Sequence, residues 1–383
     1  MSMSDTPRAD RVQIGIFGRR NSGKSSLINA LTGQKIAIVS DTAGTTTDPV
    51  YKSMELLPIG PVVFIDTPGL DDVGELGLER VKRAKDVIKK CDIGIVVLDP
   101  VLGITETEKE VLDELSKRNV PHITVFGKSD IKRGDGFYVS AKTGENIYEL
   151  KEKIAALKKK EDKPIVRDLI DTGDAVVLVI PIDSAAPKGR IILPQQQVLR
   201  EVLDAGASAL CVQPEELGAL IENQKTPPKM VITDSQAFKE VSEIVPKSIT
   251  LTSFSILLAR KKANFKQCLA GAAELKNLKD GDTVLISEGC THHRQCDDIG
   301  TKKLPRMVKS FSGAEPHFEF TSGVEFPEDL KKYKLIIHCG GCMLTDTEVA
   351  LRFETAEKAG VPMTNYGIAI AKMNGILDRV NIF

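Results

Sequence analysis

Eight residues near the start, Gly18 to Ser25 (GRRNSGKS), constrain this chain more than any others. They fit G-x-x-x-x-G-K-[ST] and lie between an apolar run, VQIGIF, and a helical pattern, KSSLINALTG. A glycine-rich passage from strand to helix turns backbone N–H groups and a helix N-terminus toward one point, which makes a cradle for phosphates. The runs PVVFID, IGIVVLD and HITVF follow, each with a loop and a helical pattern behind it, which is the rhythm of a mostly parallel sheet covered by helices. On this reading Gly18, Asn21, Ser22, Gly23 and Ser26 line the cradle. Lys24 reaches the β- and γ-phosphates and Ser25 offers its hydroxyl to Mg²⁺.

Further motifs follow in the order that phosphoryl transfer needs. Asp41 to Asp48 (DTAGTTTD) is a polar stretch suited to closing on a γ-phosphate, with Thr46 as the expected second Mg²⁺ ligand. Asp66-Thr67-Pro68-Gly69 ends the run PVVFID, so Asp66 can hold the metal through water and the Gly69 N–H can face the γ-phosphate. Gly127-Lys128-Ser129-Asp130 and Ser140-Ala141-Lys142 complete the set. A carboxylate at Asp130 that accepts guanine N1–H and N2–H₂ selects GTP over ATP, with GDP as product. Glu79 reads either as an aid to positioning water or as a surface helix residue.

The chain has 383 residues, too many for one ordinary core. The charge run Lys158 to Lys163, ahead of Pro164, interrupts all periodicity and reads as a linker. The expected fold is α/β throughout, with domains at 1–162, 163–264 and 265–383. The middle block has strand patterns (AVVLVIPI, SALCVQ, KMVITD) and helices opened by Pro194 and Pro214, and it has no catalytic motif. No apolar run is long enough to span a bilayer and the first residues lack the apolar core of a signal peptide, so a cytoplasmic location without membrane attachment is expected. A formal charge of −1 argues against nucleic acid as the main partner.

Four of the seven cysteines fall between Cys290 and Cys342. Cys91, Cys211 and Cys268 sit among apolar neighbours and read as small core residues. Cys290-Thr291-His292 and His338-Cys339-Gly340-Gly341-Cys342 each follow a strand pattern, TVLIS and KLIIH. Ligands gather at the carboxyl ends of strands in open α/β sheets, so both loops can meet around one metal. Gly340 and Gly341 allow the tight turn between two thiolates. Cys290, Cys339 and Cys342 as ligands leave one iron of an iron–sulfur cluster without a thiolate. His292, Asp297, Asp298 and His338 are candidates for that position, and Cys296 would instead give four thiolates. His338 ends an apolar strand and reads equally as a structural histidine. Zinc accepts the same donors.

The nucleotide motifs resemble the translation-factor-like GTPases of the TrmE and Era branch over roughly the first 155 residues. The sequence departs from that pattern at Gly127, where the branch has Asn in its base-recognition motif, and this puts tight guanine binding in question. Leu70 follows Asp-x-x-Gly and cannot orient water. The resemblance implies a potassium ion held partly by Asn21 and hydrolysis stimulated by it, with unassisted turnover on the order of 10⁻³ to 10⁻² s⁻¹. Taken with Cys-x-His, His-Cys-x-x-Cys and the intervening module, the whole chain resembles the FeFe-hydrogenase H-cluster maturation GTPase family (HydF). That resemblance implies a homodimer joined by the middle block and a 4Fe-4S cluster on the last. It also implies a role as scaffold and carrier, which takes a di-iron precursor from radical SAM maturases to apo FeFe-hydrogenase. The alternative is an RNA-modification or ribosome-assembly GTPase with a structural zinc domain, which would need salt-sensitive RNA affinity.

Overall fold

A computed structural model of the chain describes residues 11–33, 50–57, 59–69, 83–133, 135–157, 163–182, 191–289, 298–323 and 325–380. The chain divides into two compact units, Met1–Asp162 and Lys163–Phe383. Among the described residues no helix is long and apolar enough to cross a membrane.

The first unit is a five-stranded sheet in the order β2-β3-β1-β4-β5, from β1 (Val12–Phe17), β2 (Val50–Leu56), β3 (Gly60–Asp66), β4 (Ile93–Leu98) and β5 (His122–Phe126). All pairs are parallel except β2 with β3. β4 is buried along its whole length, as an unbroken apolar run must be when helices cover both faces of a parallel sheet. Helix α1 (Lys24–Thr32) packs Leu27, Ile28 and Leu31 on one face together with α3 (Ile147–Leu157). A helical stretch over 83–88 and α2 (Glu106–Lys117) cover the other face. The strand order reverses beside β1, so the loop at the carboxyl end of β1 opens into a crevice with those after β3 and β4.

The second unit holds two four-stranded sheets, parallel throughout. The first runs β7-β6-β8-β9, with β6 (Ala175–Val179), β7 (Ser208–Val212), β8 (Met230–Thr233) and β9 (Thr250–Ser253). The second runs β11-β10-β12-β13, with β10 (Thr283–Glu288), β11 (His317–Ser322), β12 (Leu335–His338) and β13 (Met363–Asn365). The helices of the first sheet are α4 (Leu193–Asp204), α5 (Leu217–Asn223), α6 (Phe238–Ile244) and α7 (Phe254–Lys262). Those of the second are α8 (Phe265–Ala273), α9 (Leu304–Ser312), α10 (Asp346–Lys358), α11 (Tyr366–Met373) and α12 (Leu377–Val380). One hydrophobic core joins the sheets: Val177, Val231 and Leu251 share it with Leu285, Ile336 and Met363 through Ile256 and Cys268.

Cys91 and Cys268 are buried as expected, and burial pushes both thiols up to about 12. Cys211 is a correction to the core reading: it lies on the edge strand β7, which has no neighbour on its outer side and no fully buried residue, and it is exposed in spite of its apolar neighbours.

Candidate functional site

The cradle between β1 and α1 is built by close approach. Gly18 has φ +143°, and a Cβ there would lie 2.3 Å from the Val97 carbonyl oxygen, so only glycine lets the loop cross β4. Gly23 is left-handed and starts α1, and Asn21 is exposed at the crest with φ 57°. Lys24 is buried and its Nζ donates to the carbonyls of Gly18 and Arg19 at 2.8 and 2.7 Å, which fixes its ammonium under the loop. Ser25 donates its hydroxyl to Asp66 Oδ2 at 2.6 Å, so the two expected metal-binding groups already meet. Ser26 is half-buried in the first turn of α1. Gly69 packs on the loop so closely that a Cβ would lie 2.8 Å from the Arg20 nitrogen.

Two buried oxygens in the cradle, Ser22 Oγ and Asp66 Oδ1, have no hydrogen-bond partner. Unpaired buried polar atoms are costly and call for a ligand, so the residues present fit a phosphate chain with its divalent ion. Burial pushes the Asp66 carboxyl up, against the Ser25 hydrogen bond and the charges of Lys24 and Lys52. Lys52 is a charge that no motif announced. It sits buried on β2 and donates to Asn29 Oδ1 at 2.9 Å. Thr46, Leu70 and Glu79 lie outside the described residues.

On the base side, Ser140 is fully buried and donates its hydroxyl to Asp130 Oδ1 at 2.8 Å, which orients an otherwise exposed carboxylate. Ser129 donates to Glu145 Oε2 at 2.7 Å, tying the Gly127–Asp130 loop to the loop before α3. Lys128, at φ 53°, is 3.5 Å from Asp99 Oδ2, while Ala141 is half-buried and Lys142 exposed. Gly127 has a steric reason: a Cβ would lie 2.6 Å from the Ser22 carbonyl oxygen and 3.3 Å from Val97. Backbone cannot yield there as a flexible side chain could, so Gly127→Ala is expected to push the phosphate loop away. The cost of such overpacking, about 1–3 kcal/mol, should weaken GTP and GDP affinity roughly 10- to 100-fold. Titration with a fluorescent guanine nucleotide checks this.

In the second unit, β10 and β12 are neighbours, with Ser287 paired to His338, and their order reverses there. The loops leaving both strands therefore emerge side by side. Cys339 Sγ accepts N–H bonds from Gly289 at 3.0 Å and Gly341 at 3.3 Å. Gly341 is left-handed (φ +64°), and a Cβ there would lie 2.7 Å from Val349 Cγ2. The turn that leads to Cys342 thus accepts only glycine at that position. Burial first, and then the neighbouring Cys342, push the Cys339 thiol up to about 11, and the two amides act the other way. Two amides aimed at one sulfur beside a second thiol fit a pair of metal ligands in which the metal replaces the proton. Cys290, His292, Cys296 and Asp297 lie outside the described residues, and no group of three or more metal-ligating side chains gathers among the described ones.

His338 is withdrawn from the candidates for the fourth ligand. It is fully buried, its Nδ1 lies 2.7 Å from the Cys339 carbonyl and its Nε2 lies 3.1 Å from Arg352 Nη1. A carbonyl only accepts, so Nδ1 carries the proton and Nε2 accepts from Arg352, leaving no lone pair for a metal. Burial first, then the Arg352 charge, push the imidazole down to about 3, so it is neutral. Arg352 is itself buried, donates to the Gly323 carbonyl at 2.8 Å and lies 3.5 Å from Glu348. Asp298 Oδ2 accepts from the Thr301 amide and hydroxyl at 2.8 and 3.0 Å and so caps the turn Ile299–Lys303. Glu288, at the end of β10, was not singled out from sequence. It is buried beside Tyr366 and Gly300, and its charge acts on Cys339.

Comparison with known proteins divides the chain in three. Residues 13–128 match the 50S ribosome-binding GTPase family, residues 165–263 the hydrogen maturase F dimerization domain, and residues 266–381 the hydrogen maturase F tetramerization domain. The last two together take in more than half of the chain. Over 127 residues the chain is 38% identical to GTPase Der of Kosmotoga olearia, covering 32% of this chain and 28% of that one. Over 154 residues it is 38% identical to tRNA modification GTPase MnmE of Neisseria meningitidis serogroup C, covering 37% and 33%. It spans about a third of the length of these relatives. Among solved structures, a point variant of Aquifex aeolicus Era bound to GDP.AlF4⁻ is 18% identical at a TM-score of 0.34, covering 81% of this chain and 92% of that one.

Proposed function

Because the chain belongs to the hydrogen maturase F (HydF) family and opens with a GTPase domain, we propose that it is a GTP-hydrolysing scaffold and carrier for assembly of the FeFe-hydrogenase cluster. In this reading the first unit binds GTP with Mg²⁺. Lys24 faces the β- and γ-phosphates, Ser25 and Thr46 hold the ion directly and Asp66 through water, the Gly69 amide faces the γ-phosphate and Asp130 reads guanine. Mg²⁺ neutralises charge on the transferring phosphoryl group. Asn21, exposed at the crest of the loop, is the residue for a stimulating potassium ion.

In the last module Cys290, Cys339 and Cys342 hold a 4Fe-4S cluster, which supplies an iron open to ligand exchange. His292, Asp297, Asp298 and the buried Glu288 are the side chains from which its weak fourth ligand is drawn. The observation that carries this half is the pair of amides aimed at Cys339 Sγ where β10 and β12 release their loops. The chain acts as a homodimer, receives its di-iron cargo from radical SAM maturases and delivers it to apo FeFe-hydrogenase. The test is transfer. Protein isolated from cells that express the maturases should confer hydrogen evolution on apo-hydrogenase, and protein from cells lacking them should not. Equal activation by both preparations would contradict the carrier role.

A further inference from the structure

The thiol turn is held from outside its own domain. Lys262 is the last residue of α7, within the module matched as the dimerization domain, and only 5% of it is exposed. Its Nζ donates to the carbonyls of Leu344 at 2.8 Å and Gly341 at 3.2 Å, and lies 3.3 Å from Asp346 Oδ1. The two carbonyls bracket Cys342, and the Gly341 carbonyl also accepts the Leu344 amide at 3.0 Å that closes the turn. Asp346 begins α10, which Thr345 caps by accepting the Glu348 amide. Two donors of one ammonium are thus directed at the segment that carries Cys339 and Cys342, with an ion pair to Asp346 just beyond it. Lysine is almost never buried unless paired, and here its partners belong to the thiol turn.

The charge has a second consequence. Thiolates and the cluster they bind bring negative charge into a half-buried turn, and each added electron increases it. A buried cation bonded to the carbonyls on either side of Cys342 favours the more negative, reduced form, in surroundings where screening by water is weak. Arg352 supplies charge from the side of His338, and Lys262 supplies it from the side of the other module.

We propose that Lys262 is a positioning residue through which the dimerization module holds the Cys339–Cys342 turn and sets the electron affinity of the cluster bound there. The second half rests on the cluster reading above; the first half does not.

The test compares Lys262→Met, Lys262→Gln and Lys262→Arg in the full chain, with and without anaerobic reconstitution by iron and sulfide. In the cluster-free protein, amide exchange across residues 339–345 is expected to be at least about tenfold faster in Lys262→Met, as a local opening freed of its clamp should be. In the reconstituted protein, Lys262→Met and Lys262→Gln are expected to lower the reduced-to-oxidised ratio at a fixed poise about tenfold, equal to about 59 mV for a one-electron couple. Lys262→Arg keeps the charge but not the compact ammonium that meets two carbonyls, so it should restore the potential and not the exchange. A folded Lys262→Met variant with wild-type exchange and wild-type potential would overturn the proposal. If Lys262→Met does not fold, Lys262→Gln decides: it keeps a donor and loses the charge, so an unchanged potential would overturn it. Should the wild-type chain itself take up no cluster, the carrier reading falls, and the exchange measurement still judges the clamp.

Discussion

Replacing Lys24 with alanine is expected to lower GTP turnover on the order of 10³-fold, the scale on which a fixed charge at a transferring phosphoryl group acts. The expectation follows from how the side chain is held. Lys24 is buried, and the Gly18 and Arg19 carbonyls fix its ammonium at 2.8 and 2.7 Å, so the charge is preorganised before any nucleotide arrives. Alanine removes the charge and also the bonds that keep the loop crest over the start of α1. Arginine should not restore turnover, because a planar fork cannot occupy the point where a compact ammonium meets two carbonyls. Phosphate release at saturating GTP and Mg²⁺ measures the effect, and turnover within about tenfold of wild type would remove Lys24 from the site. Iron content should be unaltered, since the thiols belong to the other compact unit.

The complementary change is Cys339→Ser, with Cys342→Ser and Cys290→Ser beside it. Loss of a group in the outer shell of a metal site costs about 10–100-fold in affinity, so loss of a ligand should cost more and leave the protein essentially free of iron after reconstitution. Cys339 is the most exposed to this test, because the Gly289 and Gly341 amides converge on its sulfur. GTP hydrolysis should remain within about twofold of wild type, and hydrogenase activation should be lost. Iron and sulfide retained at wild-type levels in Cys339→Ser would show that the cluster is held elsewhere.

The nucleotide cradle was legible because phosphate chemistry dictates both residue types and spacing, and because Gly18 and Gly69 stand where no side chain fits. The parallel sheets were legible in their buried strands, whose apolar runs are continuous. Edge strands were less so: β2 and β11 are half-exposed and carry no unbroken apolar run, and β13 has three residues. Long-range charge was not legible at all. Lys262 meets carbonyls 79 and 82 residues away, and the backbone leaves no mark in the sequence for such a partner. His338 failed as a ligand for the same reason, since a histidine beside Cys-x-x-Cys looks available until Arg352, fourteen residues on, is found at its free nitrogen.

In the proposed function one chain joins a GTPase to a cluster with an exchangeable iron. Anaerobic reconstitution with iron and sulfide, followed by electron paramagnetic resonance of the reduced protein with and without imidazole, tests it most directly. A four-iron signal is expected, with g values that shift when imidazole is added. Zinc retained with no iron uptake would contradict it and favour the RNA-linked GTPase, and a four-iron signal indifferent to imidazole would contradict the open iron.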